Sequence, residues 1–218
     1  LELNVYIQVW SDVVCPWCYI GKKRLEQALE GFTSGGVTVR FRAYQLDPSP
    51  VPRPVPLKAS LAAKFGGAQR ADEMFDHVTA VAAGDGLTLN FDRAVAANTF
   101  DAHRLIAWAA SQGRQLDMLE AVQRAHFAHG VDIGSRPALA RLAGSIGLDE
   151  ATARAYVEST DGADAVNADI AVARELGISS VPTFVIDGKY AVQGAQEPAM
   201  LRNALIEIAR REAVDAGR

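Results

Sequence analysis

Val5-Tyr6-Ile7-Gln8-Val9-Trp10-Ser11-Asp12-Val13-Val14-Cys15-Pro16-Trp17-Cys18 runs, within fourteen residues, from strand composition into a helix start that holds both cysteines of the chain. Val5 to Trp10 is rich in β-branched and aromatic residues, which suit a pleated surface. Ser11 to Cys15 reads as the turn out of that strand. Pro16 fits a first helical turn, where its missing N–H is no loss. Leu25, Ala28 and Leu29 continue an apolar stripe that includes Cys18, and residues 31–36 end the helix. Val37, Val39, Phe41 and Ala43 then alternate with Thr38, Arg40 and Arg42, a second strand. Strand, helix and strand with a short return make a βαβ unit.

Beyond it the composition shifts. Pro48, Pro50, Pro52, Pro54 and Pro56 fall within nine residues, too dense for helix or central strand, so an extended and fairly stiff connector is expected. From Leu57 to about Thr160 the signals are almost all helical. Met74, Phe75, Val78, Val81 and Ala82 form one apolar stripe, and Ala102, Leu105, Ile106 and Ala109 another. Ser135 and Pro137 open a helix with Leu139, Leu142, Ala143 and Ile146 on its apolar face, and Gly147 stops it. A helix from about Gly162 carries Val166, Ile170, Ala173 and Leu176 inward and stops at Gly177. Val181 to Ile186 reads as a strand, Asp187-Gly188 as a hairpin turn, and Lys189 to Val192 as its partner. A closing helix spans Glu197 to Arg211, with Pro198 in its first turn. The expected fold is α/β. Residues 1–56 and 161–218 form one sheet-containing domain, and residues 57–160 an all-helical insertion within it.

The 218 residues are 49% apolar and 22% charged, enough for an ordinary core without disulfide staples. The formal net charge of −4 argues against non-specific nucleic-acid binding, which needs a basic surface. No apolar run approaches the roughly 20 residues of a membrane span. Leu1 to Trp10 reads as an alternating strand and lacks the basic and long apolar regions of a signal peptide. The expected location is the cytoplasm, where lasting disulfides are rare and catalytic ones are the usual exception.

The two cysteines are three positions apart. A bridge between them closes a tiny loop and restricts the unfolded chain very little, so stability is a poor reason for it. On a helix start, C-x-x-C puts the two Cα atoms roughly 5–6 Å apart, which suits a disulfide. The first cysteine lies where free backbone N–H groups and the helix dipole converge, and both favour thiolate. Thiolates in such motifs have pKa values of roughly 3.5–7, and the thiolate is the attacking species in exchange. Cys15 is therefore expected to be exposed and nucleophilic, and Cys18, on the face of Leu25 and Leu29, more buried and placed to resolve a mixed disulfide. Pro16 and Trp17 between them tune the couple. Two plainer readings compete: half of a zinc site, which lacks a second pair of cysteines, and an inert buried pair. No metal is expected. Val181-Pro182, where a turn enters the sheet, is a second element; the bond there can be cis or trans.

Ser11-Asp12-Val13-Val14-Cys15-Pro16-Trp17-Cys18, Asn98-Thr99-Phe100-Asp101-Ala102-His103-Arg104-Leu105, Val181-Pro182-Thr183-Phe184 and Gly194-Ala195-Gln196, in that order over nearly the whole chain, resemble the FrnE-like branch of the DsbA-type oxidoreductases. Ser180 and Gln193 depart from the glycine and serine frequent at those positions in relatives. The resemblance implies a thioredoxin-like fold with a helical insertion, Cys15 as nucleophile, Cys18 as resolving cysteine, and Val181-Pro182 as a cis-proline loop facing them. It implies thiol–disulfide exchange with protein or small-molecule thiols and disulfides. The Cys15–Cys18 disulfide serves as the redox group, with no bound cofactor and with glutathione as a candidate co-substrate. The alternative is a glutathione-dependent isomerase or transferase resembling 2-hydroxychromene-2-carboxylate isomerase or the kappa-class glutathione transferases. That sister branch generally has serine in place of Cys15 and lacks the second cysteine. A chaperone-like binding module is a third reading. Nothing in the sequence fixes the oligomeric state.

Asp12, Asn98 and His103 are weaker candidates for a proton relay or the substrate face. Asp12 reads equally as a solvated turn residue, and His103 as a satisfied histidine at a helix edge. Trp17 is either an exposed substrate platform or packing against the helical block. His126 and His129 read as residues that cap or border the core.

Overall fold

In the computed structural model the alternating apolar residues of the N-terminal segment become strand β1 (Asn4–Ser11), with Val5, Ile7 and Val9 buried on one face. Residues 4–32, 35–62 and 64–216 are described. Residues 1–3 of the alternating segment and 33–34 of the turn after the first helix lie outside the described residues. Helix α1 (Pro16–Leu29) returns the chain to β2 (Gly36–Ala43), which pairs parallel to β1 from Asn4↔Gly36 to Ser11↔Ala43. The proline-rich connector carries no helix or strand and ends at a lone bridge from Pro56 to Val95. Then come α2 (Leu57–Ala62), α3 (Ala68–Gly84), α4 (Phe100–Ala110), α5 (Gln115–Phe127), α6 (Arg136–Ser145), α7 (Glu150–Glu158) and α8 (Ala163–Glu175). Strands β3 (Thr183–Ile186) and β4 (Tyr190–Gln193) and helix α9 (Pro198–Ala216) close the chain.

The sheet order is β2-β1-β3-β4, with β3 antiparallel to both β1 and β4. Asp187 and Gly188 take left-handed φ values of 50° and 67°, and with Lys189 they make the turn between the paired residues Ile186 and Tyr190. The Asp187 side chain also accepts a hydrogen bond from Tyr6 N at 2.8 Å, tying the hairpin to β1.

The largest apolar cluster joins the sheet to the helical block. It contains Val5, Ile7, Val9, Phe184 and Ile186 of the sheet together with Leu105, Val122, Leu139 and Val157 of the helices. A second cluster sets Tyr19 and Ile20 of α1 against Phe75, Phe91 and Phe127. Helix α1 is thus gripped on both sides: Leu25 enters the first cluster and Ile20 the second. Burying one such side chain contributes roughly 1.5–3 kcal/mol, so the motif helix is firmly seated.

Three expectations change. Residues 87–99 of the block are irregular rather than helical: Asn90 N and Ala96 N donate to the distant carbonyls of Phe127 and Val55 instead of to a partner four residues back. Met74 and Leu176 are 45% and 54% exposed. The buried row on α3 is Ala71, Phe75, Val78 and Ala82, to which Met74 is a quarter-turn off, and Leu176 lies at the C-terminal end of α8, past its packed face. The strand after the turn begins at Thr183, with Val181 and Pro182 in the loop before it.

Candidate active site

Cys15 is the N-terminal cap of α1. Its backbone is extended (φ −87°, ψ 114°), Pro16 opens the helix, and no side-chain oxygen caps it. The Cys15 carbonyl accepts from Cys18 N at 3.1 Å, the turn that stacks the second cysteine behind the first. Both are free thiols. The Cys15 sulfur lies 3.8 Å from the carbonyl oxygen of Val181.

Cys15 is 5% exposed and Cys18 1%. The expected exposure of Cys15 is therefore corrected. Its place at the helix mouth is as expected, but the Val181–Pro182 loop, 166 residues away in sequence, lies beside its sulfur. The order of depth is the expected one. Burial pushes the Cys18 thiol well above its ordinary pKa, and the neighbouring Cys15 adds to this; the Asp12 N–H and the Ser11 hydroxyl pull the other way by less.

The loop itself is pinned. The Val181–Pro182 peptide is cis. The Pro182 carbonyl accepts from Gly194 N at 2.8 Å, and Thr183 Oγ1 donates to Ser180 O at 2.7 Å. Gly21 of α1 lets the proline ring approach: a Cβ there would lie 2.8 Å from Pro182 Cγ. Arg24, one turn on, holds Asp85, Glu197 and the Ala195 carbonyl, each at 2.8 Å. The Gly194-Ala195-Gln196 segment is thereby tied both to the proline loop and to the motif helix.

Behind the sulfurs, Asp12 is neither solvated nor free. It is 1% exposed, Oδ2 accepts from Leu46 N at 2.8 Å, and Oδ1 lies 3.2 Å from His103 Nε2. His103 is buried too, so it is the partner of Asp12 rather than a helix-edge residue. Asn98 sits elsewhere. Its amide donates to Pro48 O and Ser49 O at 3.0 and 3.1 Å, and its carbonyl accepts from Phe100 N at 3.0 Å, which fastens the connector to the start of α4. Trp17 is 37% exposed and leans on His77 of α3, ring centroids 6.1 Å apart. His129 is at the surface. His126 is fully buried against Phe127, inside the core rather than at its border.

An apolar groove of about 330 Å³ opens beside Pro16, lined by Val14, Leu46, Val51, Leu57, Leu61 and Phe65. A larger cavity of about 630 Å³ runs along α1 past Lys22, which pairs with both Glu26 and Glu120; neither cysteine lines it. Among the described residues no group of three or more His, Cys, Asp or Glu is placed to hold a metal ion. Nor, among them, is any helix long and apolar enough to cross a membrane.

The sequence reading missed Gly21, Arg24, Ser11 as a side chain, and His77. A glycine inside a helical pattern was the available signal for Gly21. An arginine on a helix face carries no sign of its three distant partners.

The family model described as the DSBA-like thioredoxin domain matches residues 6–206. The chain belongs to that family. A probable DsbA oxidoreductase from Streptomyces coelicolor is 36% identical, with a TM-score of 0.87 over 95% of this chain and 91% of that one. A 2-hydroxychromene-2-carboxylate isomerase is 17% identical, TM-score 0.69, over 95% and 98%. The cytosolic disulfide reductase DsbM from Pseudomonas aeruginosa, solved with GSH, is 22% identical, TM-score 0.66, over 94% and 99%. The last two share the DSBA-like fold. A reductase and an isomerase can thus carry one architecture, and chemistry has to be argued from the site.

Proposed function

We propose that this DSBA-like chain is a thiol–disulfide oxidoreductase of DsbA type working through Cys15-Pro16-Trp17-Cys18. The observation that carries it is the pair of free thiols at the start of α1, one against the Val181 carbonyl and one deeper. In the reducing direction the Cys15 thiolate attacks a substrate disulfide. A mixed disulfide forms and one substrate sulfur leaves as thiolate. Cys18 loses its proton, attacks Cys15 Sγ and forms the Cys15–Cys18 bond, and the second substrate sulfur leaves. Two electrons pass to the substrate; the reverse sequence oxidises a dithiol. The Val181 backbone beside Cys15 offers an extended substrate strand-like hydrogen bonds. Asp12 and His103 serve as the proton relay behind Cys18, Asn98 shapes the substrate face by fixing the connector, and Trp17 gives substrate a flat platform.

Substrates are protein or small-molecule thiols and disulfides. Glutathione as co-substrate is supported by the shared fold with the GSH-bound reductase. The motif order supports a place in the FrnE-like branch. Two cysteines, both spent in one motif, support work in the cytoplasm. A glutathione-dependent isomerase is the second reading, favoured by the shared fold alone; the second cysteine has no task in it.

Insulin reduction and equilibration with glutathione buffers test this on the wild type, Cys15→Ser and Cys18→Ser. Wild type is expected to turn over and to equilibrate as one dithiol couple. Cys15→Ser is expected to be inactive, and Cys18→Ser to stall as a mixed disulfide. Mutants that match wild type, or an inert wild type, would sink the reading.

A further inference from the structure

Val181 offers two backbone groups that the fold leaves unpaired. Among the described residues its N–H makes no hydrogen bond, and its carbonyl meets only the Cys15 sulfur, 3.8 Å away. Backbone groups inside a protein are nearly always paired, and an open N–H and C=O on one residue make a short strand edge. Such an edge can receive an extended chain only if it is held still. β3 begins at Thr183, so its ladder does not reach back to Val181.

What holds the loop is a run of contacts that ends on Arg24. The Pro182 carbonyl accepts from Gly194 N at 2.8 Å, in the turn after β4. That turn is compact. Gly194 has a φ of 79°, Gln196 N donates to the Gly194 carbonyl at 3.0 Å, and the Gln196 amide donates to Gln193 O at 2.7 Å. Its Ala195 carbonyl accepts from Arg24 Nη1 at 2.8 Å. The arginine is 9% exposed and is fixed in turn by Asp85, just after α3, and by Glu197, just before α9. It stands on α1, the helix that carries both cysteines. One planar side chain therefore ties the sulfur-bearing helix, the helical block and the segment that holds Pro182. A guanidinium can do this because its donors diverge from a rigid plane.

We infer that Arg24 is a positioning residue for peptide substrates: it holds the Val181 edge beside Cys15, so that a chain paired along that edge presents its disulfide to the Cys15 sulfur. The inference rests on the disulfide-exchange reading above and narrows it, because a small disulfide with no peptide backbone gains nothing from the edge. Arg202 supplies the contrast. From α9 it donates to the carbonyls of Ala28 and Gln27, at 3.0 and 2.8 Å, a tie of the same kind at the far end of α1 from the cysteines.

The test compares two substrates of the reduced protein. One is a cyclic disulfide peptide, followed by acid quench and chromatography. The other is 5,5′-dithiobis(2-nitrobenzoate), which has no peptide backbone and is followed by released thionitrobenzoate. Arg24→Met and Arg24→Lys are expected to slow the peptide reaction about tenfold, the worth of two misaligned backbone hydrogen bonds, and to leave the aryl disulfide within about twofold of wild type. Arg202→Met is expected to keep the wild-type ratio of the two rates, whatever it costs in thermal melts. Equal slowing of both substrates, an unchanged peptide rate in either Arg24 variant, or the same change of ratio in Arg202→Met overturns the proposal. Failure of Arg24→Lys to fold overturns it too, since the charge is kept and only the fork is lost. A wild type that attacks neither disulfide overturns the exchange reading itself, a different failure.

Discussion

His126 gives this protein a pH-dependent weakness that can be measured without any activity. The ring has no exposed surface, and neither nitrogen bonds a protein group. Burial pushes its pKa from 6.5 down to about 4, and the Asp12 carboxylate pulls the other way by less. In the unfolded chain the same imidazole takes a proton near its ordinary 6.5. Between those two values the unfolded state binds one proton more, so stability falls as pH falls. It is fully present above about pH 6.5 and is lost progressively down to about pH 4. Each pH unit is about 1.4 kcal/mol, so the window is worth roughly 3 kcal/mol. That is a large share of the 5–15 kcal/mol typical of a folded protein. His126→Leu removes the titration and the two unsatisfied nitrogens while keeping an apolar filler. Urea unfolding followed by tryptophan fluorescence, from about pH 7.5 to 4.5, compares the two chains. Any constant offset from altered packing cancels in the difference. The variant is expected to gain about 2–3 kcal/mol on wild type across the series. Parallel stability curves would refute the reasoning, because they would mean that the folded protein accepts the proton as easily as the unfolded one.

Gly21→Ala is expected to cost about 1–3 kcal/mol, the range for overpacking, because its Cβ meets Pro182 Cγ at 2.8 Å. Gly84→Ala in α3, with nothing within 4 Å of the new Cβ, is its control and should be neutral or stabilising in thermal melts. Arg104 is 2% exposed and bonds Asp101 and the carbonyls of Tyr156, Val157, Ser159 and Asp161. Arg104→Ala should cost about 3 kcal/mol or more in urea unfolding, and Arg104→Lys should recover little, because a single ammonium cannot span that set.

The sheet and the motif helix were legible because their signals are local. β1 alternates, Pro16 marks the first turn of α1, and Asp187-Gly188 marks the hairpin; each depends on neighbours within a few residues. The stripe Ala102, Leu105, Ile106 and Ala109 is buried throughout. What could not be read is long-range. Cys15 is covered because Val181, 166 residues on, comes beside it. Met74 and Leu176 match a helical period within their own windows, yet their exposure is set by where the neighbouring elements stop. The same holds at the candidate site. The partnership of Asp12 with His103 spans 91 residues. Asn98 was legible as part of a motif, and its place on the connector carbonyls was not.

The polar groups behind the sulfurs come from a different part of the chain than the sulfurs do. α1 brings Cys15 and Cys18, but His103 arrives on α4 and His126 on α5. From the end of β1 come Ser11 and, just after it, Asp12. A sheet, a motif helix and a proline loop are enough to hold two cysteines in reach of each other. They leave the back of Cys18 against whatever packs on the end of β1. Here that neighbour is the helical block, and the block presents a histidine at 3.2 Å from a buried carboxylate where an apolar side chain would have made a simpler core. Buried ionisable groups are costly unless paired. Asp12 meets that condition through His103 and Leu46 N, and the proposed relay behind Cys18 would give the pair a task. Under the proposed function the helices do more than pack against the sheet. Under the proposed relay they would help set the protonation of the deeper cysteine, and the rate of its attack would be a property of the interface between block and sheet.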